Sequence, residues 1–133
     1  MDYNSINDYL LIRIPEVKEE AEEIMQYWSP EQVPSHVFYG DTLNRFVFKL
    51  LEEDSNKELI KKVFDFYEEL AACDDEKVNN LLQVTLLEYL WDDYKVLRNA
   101  HKYMHHLTRK LSDELQVYFK KPAWLHEEGE YRE

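Results

Sequence analysis

From residue 41 onward apolar side chains recur at threes and fours. Leu43, Phe46, Val47, Leu50 and Leu51 line one side of a helix predicted over 42–52, and Leu59, Ile60, Val63, Phe64, Tyr67, Leu70 and Ala71 line another over 56–72, widened by Phe66. This spacing keeps one stripe of an α-helix facing a core and leaves the remainder to solvent. Ser55-Asn56-Lys57-Glu58 reads as a capping box that starts the second of these helices. The next segment, 76–91, starts behind Asp74 or Asp75 as cap. It carries Val78, Leu81, Leu82, Val84, Leu86, Leu87, Tyr89 and Leu90, apolar on most sides, which predicts the central and most buried helix. Beyond Asp93, Val96, Leu97, Ala100, Tyr103 and Met104 make a further stripe, continued by Leu107, Leu111, Leu115, Tyr118 and Phe119. That pattern fits either one bent helix or two over 94–119.

The first forty residues are less regular. A helix beginning at Asn4 or Ser5 buries Ile6, Tyr9 and Leu10 and must stop near Ile14, because a residue before proline is pushed out of helical geometry. Pro15 suits the first turn of a second helix, in which Val17, Ala21, Ile24 and Trp28 form the inner stripe and Glu19, Glu20, Glu22 and Glu23 the outer surface. Ser29-Pro30-Glu31-Gln32 has the pattern of a cap, but Pro34 follows so closely that 29–40 is predicted to be the main irregular connector. No period-two run and no Asn-Gly or Asp-Gly hairpin signal occurs, so the expected fold is all-α. Short joints imply antiparallel helices, stacked as a short HEAT- or armadillo-like array or closed into a bundle. We expect a single domain over 1–121 and an acidic C-terminal tail over 122–133 that docks through Trp124.

Charge narrows the classes of partner. The 133 residues hold 28 Asp and Glu against 16 Lys and Arg, a formal charge of -12. Nucleic acid and anionic membrane would repel such a surface, whereas a basic protein would be attracted. A lone cysteine, Cys73, precludes an internal disulfide and suits a reducing compartment; it is expected to be a small buried residue at a helix end. No stretch approaches the ~20 apolar residues of a membrane span, and 1–8 lacks the basic and apolar regions of a signal peptide. A cytoplasmic protein, monomeric when unbound, is the expectation.

The stretches Lys62-Val63-Phe64-Asp65-Phe66-Tyr67-Glu68-Glu69-Leu70 and Val78-Asn79-Asn80-Leu81-Leu82-Gln83-Val84-Thr85-Leu86-Leu87-Glu88-Tyr89-Leu90 resemble those of small bacterial helical proteins. The HEAT-like helices of that group are similar to those of immunity proteins of polymorphic toxin systems. The likeness spans roughly 46–119 and consists mainly of core positions, so it implies a fold and a toxin-neutralising role but no individual functional residue.

Three constellations could carry chemistry. His101, His105 and His106 have metal-ligand spacing, yet no second acidic or histidine motif accompanies them, so no metal is expected. Glu16, Glu19, Glu20 and Glu23 could supply one carboxylate pair of an all-α nucleotide hydrolase. The required second pair fails, because Asp92 lies four residues after Glu88 rather than three. The third is an acidic edge: if helices 42–52, 56–72 and 76–91 run up, down and up, Glu52, Glu53 and Asp54 meet Glu88, Trp91, Asp92, Asp93 and Tyr94 at one end, while Asp74, Asp75 and Glu76 collect at the other. Asp92 and Asp93 follow a helix C-terminus, where anions are disfavoured, although Asp93 could instead cap the next helix. The sequence therefore points to a non-enzymatic, cofactor-free binding protein. Its expected role is immunity-type neutralisation of a basic toxin or nuclease, with aromatics such as Trp91 and Tyr94 as anchors. A structural adaptor for a peptide or helix and, behind it, a metal-dependent nucleotide hydrolase are the alternatives.

Overall fold

A computed structural model describes residues 1–116, and every regular element among them is helical. Asp2 caps a 3-10 turn, Tyr3–Ser5, that opens α1 (Ile6–Arg13). The chain leaves helical geometry at Ile14, before Pro15, and a second 3-10 turn, Pro15–Val17, leads into α2 (Lys18–Trp28). After a short turn, α3 (Ser35–Tyr39) passes through a π-helical segment, Gly40–Asn44, into α4 (Arg45–Glu53) without a break. Next come α5 (Lys57–Ala72), then α6 (Glu76–Asn80), a second π-helical segment Leu81–Leu87, and α7 (Glu88–Leu90), again continuous. Two separate helices, α8 (Tyr94–His101) and α9 (His106–Glu114), follow. This resolves the alternative left open for 94–116 in favour of two; Tyr118, Phe119, Trp124 and the expected tail lie outside the described residues.

Local expectations need correction at four places. The connector predicted over 29–40 ends at Pro34, because Ser35 already opens a helix that buries Phe38 and Tyr39. Gly40 has ordinary right-handed dihedrals, φ -63° and ψ -46°, so it continues that helix instead of stopping it. The cap of α5 is Asn56 and not Ser55: the Leu59 amide donates to Asn56 Oδ1 at 3.3 Å. Finally, 76–91 is buried as expected at Val78, Leu81, Leu82, Leu86, Leu87 and Leu90, but its middle is a π-helix and Val84 is exposed. Cys73 does end a helix, as C-cap of α5, but it is only half-buried.

The helix directions follow from contacts that advance together. Asn44 meets Thr85 and Phe48 meets Tyr89, so 35–53 and 76–90 run parallel in direct contact, while α5, which links them in sequence, runs back the opposite way and Asn79 Nδ2 donates to the Leu70 carbonyl at its far end. α1 lies across this layer: Tyr39 Oη donates to the Ile6 carbonyl at 2.6 Å, and Tyr9 Oη to Glu69 Oε1 at 2.7 Å. Tyr9, Tyr39 and Phe66 fill the space between with ring centroids 5.8–6.3 Å apart. A single carboxylate, Asp75, caps α6 through Lys77 N and also holds Tyr3 N at 2.9 Å, tying the start of the chain to the central helix. On the other side, Glu68 of α5 accepts from the amides of Leu107 and Thr108 and from the Thr108 hydroxyl at 2.9–3.0 Å, so the orphan donors of α9 are met by a neighbouring helix.

Candidate functional site

The residues of the expected acidic edge have three different fates. Trp91 is only 3% exposed, and its indole N–H donates to Ser112 Oγ at 3.3 Å; it belongs to the core and offers no surface to a partner. Asp93 is the N-cap of α8, accepting from Val96 N at 3.0 Å. Asp54 closes α4 and accepts from Lys102 Nζ at 2.8 Å and Tyr103 Oη at 2.7 Å, with Lys57 also beside it. These two hydrogen bonds, from Lys102 foremost, pull the Asp54 carboxyl down to about 2. Glu52, Glu53 and Asp92 are exposed, whereas Glu88 and Tyr94 are half-buried, and Tyr94 takes the Arg98 guanidinium over its ring at 5.8 Å. The edge is also divided. Asp54 sits against the C-terminal end of α8 and Asp93 against its N-terminal end, so an eight-residue helix about 12 Å long separates the two groups.

Carboxylates without such duties concentrate elsewhere. On α2, Glu19, Glu20, Glu22 and Glu23 are all exposed, and none has a Lys or Arg within ion-pair distance among the described residues. Glu20 shares an open groove with Asp41 of the first π segment, Arg45, Phe46, Phe48, Lys49 and Glu52 of α4, and Tyr89 of α7. In its floor Phe48 and Tyr89 meet edge to face at 5.6 Å. The signal that could have located this surface was present in the sequence, in the run of four glutamates interrupted by Ala21.

The three histidines do not converge. His101 is buried, and its pKa falls to about 3, chiefly because burial disfavours the charged ring and also because Arg109 is near. His105 reaches Asp65 of α5 at 2.7 Å, and His106 is exposed on α9. Of the four glutamates weighed as a metal-binding set, Glu16 is engaged by Lys62 at 3.0 Å. No group of three or more His, Cys, Asp or Glu among the described residues is arranged to hold a metal ion.

Sequence reasoning missed a polar seam where the two π segments face each other. His36 Nδ1 and Thr85 Oγ1 lie 2.5 Å apart, Asn44 Nδ2 donates to the Thr85 carbonyl at 3.1 Å, and Thr42 Oγ1 donates to the Phe38 carbonyl at 2.8 Å. A π turn shifts backbone bonding from i−4 to i−5, and these side chains supply donors to carbonyls of the widened turns. Half-burial of His36 and Thr85 and their mutual engagement give the seam a joining role between the two helical paths 35–53 and 76–90 that contain the π segments.

With that geometry in hand, comparison with known families gives one result. The family described as a domain of unknown function, DUF7674, matches residues 7–119. The chain belongs to the DUF7674 family. The match takes in α2, the groove and the π seam of this DUF7674 domain together, so all of them lie within the family's own span. Neither a curated protein nor a solved structure matches the chain. Among the described residues no helix is long and apolar enough to cross a membrane.

Proposed function

We propose that this DUF7674 domain is a non-enzymatic binding protein that engages a basic protein partner through its acidic surface. The observation that carries the reading is the set of exposed, unpaired carboxylates on α2, which remains after the structural duties of Asp54, Asp75, Asp93 and Glu68 have been subtracted. A like-charged cluster on one surface attracts opposite charge from a distance, and in protein association such fields act mainly on encounter rate and partner choice. Neutralisation of a basic toxin or nuclease in the cytoplasm is the specific form we favour, on the resemblance of 46–119 to immunity-type proteins. An adaptor that receives a peptide or helix is the second reading, and the aromatic floor of the groove supports it.

The test is association with a panel of purified basic and acidic proteins of matched size, measured at 20 and 300 mM NaCl. Saturable binding confined to basic members and weakening steeply with salt supports the reading. Equal binding to acidic members, or none to basic ones, refutes it. Expression of the domain together with the product of a neighbouring toxin gene then separates neutralisation from adaptor function: survival of the host cell supports the former.

A further inference from the structure

Much of the surface of α2 is left outside the core. α2 runs eleven residues, about 16 Å, yet Ala21 is its only fully buried side chain. Ile24 and Trp28 are half-buried, Met25 is 39% exposed and Tyr27 86% exposed. Glu20, Glu23 and Tyr27 follow one another at spacings of three and four, so they form one stripe along the helix, and Glu20 also lines the groove beside Asp41, Glu52 and Tyr89. An exposed tyrosine at the end of a carboxylate stripe combines a residue type enriched in binding surfaces with the charge that would select its partner.

We propose that the outward face of α2, continued by the groove against α4 and α7, is the docking surface for a lysine- or arginine-rich amphipathic helix of a partner protein. This rests on the basic-partner reading above and adds the location and shape of the contact. The partner is basic because Glu19, Glu20, Glu22 and Glu23 have no cation of their own to face, and it is amphipathic because Tyr27, on the stripe of Glu20 and Glu23, and the aromatic pair Phe48 and Tyr89 in the groove offer apolar area beside that charge. Arg45 and Lys49 interrupt the groove, so the negative field is strongest on α2 itself and the groove serves the partner's apolar side chains. A helical partner fits an exposed face about three turns long, because ridges of one helix settle alongside those of another.

The test uses a synthetic three-heptad helix of lysine and leucine, with a glutamate-for-lysine peptide as control, titrated into the full-length isotope-labelled chain. Saturable amide shift changes concentrated over residues 18–28 and 41–52, absent with the control peptide, are the expected result. In the variant carrying Glu19→Lys, Glu20→Lys, Glu22→Lys and Glu23→Lys, affinity at 20 mM salt should fall by at least about tenfold, and in Tyr27→Ala by about fivefold, with helical circular dichroism unchanged. Saturable binding that maps to another face, such as α9 or the α8 ends, overturns this site and leaves the basic-partner reading standing. Absence of saturable binding anywhere sinks that reading together with the site.

Discussion

Asp54 is the one residue other than glycine with a positive φ, 48°, among the described residues. Aspartate tolerates the left-handed region better than most residues, and here the conformation turns its carboxylate towards Lys102 and Tyr103. Because the folded-state carboxyl is held below its ordinary value, the contribution is complete above about pH 4 and is lost as pH falls towards 2. Replacement by Asn keeps the backbone preference and removes the charge. Asp54→Asn should therefore cost about 1–2 kcal/mol in urea denaturation at pH 7, and the gap from wild type should narrow by pH 2.5. A constant gap would show that backbone geometry, and not charge, is responsible. His101 works in the opposite sense. Its folded-state pKa lies near 3, so between about pH 6.5 and 3 the unfolded chain binds the extra proton and stability falls as pH is lowered. His101→Gln, whatever its own cost at pH 7, should flatten the dependence between pH 6 and 4 by about 1 kcal/mol per pH unit. An unchanged slope would mean that the ring is protonated in the folded state.

Single elements carry their own predictions. An alanine Cβ at Gly40 would lie 3.5 Å from Thr85 Cγ2, an ordinary contact, and the backbone there is helical already. Gly40→Ala should thus stabilise the chain by about 0.5–1 kcal/mol, chiefly by restricting the unfolded state. Destabilisation would show that the π segment needs the glycine. The hold of α5 on α9 is testable at Glu68: Glu68→Gln should raise amide exchange across α9 while leaving α5 protected, because only α9's first turn loses its charged acceptor. Parallel loss of protection in α5 would contradict this. These two cases also mark what the pattern of residues can reveal. Stripes at threes and fours located α5, α8 and the buried leucines of 76–90 because burial of one face dictates them. The π segments left no such trace: 81–87 is apolar on most sides in either geometry, and Gly40, the last residue of the predicted connector, has the dihedrals of a helix. Trp91 misled for another reason. Its neighbours Asp92 and Asp93 suggested a surface, but a single residue suffices to turn a ring from a charged joint into the core.

At the scale of the whole molecule, charge acts against the compact state as well as towards a partner. The described residues hold ion pairs such as Arg13–Glu69, Lys62–Glu16 and Lys102–Asp54, each at least partly open to solvent and worth little singly. Against them stands a formal charge of -12 on 133 residues, whose mutual repulsion extends over about 30 Å at 10 mM salt but only a few ångströms near 0.5 M. Long-range repulsion among many carboxylates is screened more completely than contacts at 3 Å, so added salt should relieve more than it removes. We expect the urea midpoint at pH 7 to rise between 10 mM and 0.5 M NaCl without a change in denaturant slope, and the rise to shrink in the α2 variant with its four glutamates reversed to lysine, whose net charge is less negative by eight units, two for each reversal. A midpoint that falls with salt would mean that the local pairs dominate and that the carboxylates of α2 are compensated by neighbours. The electrostatic premise of partner recognition through α2 would then fall with it.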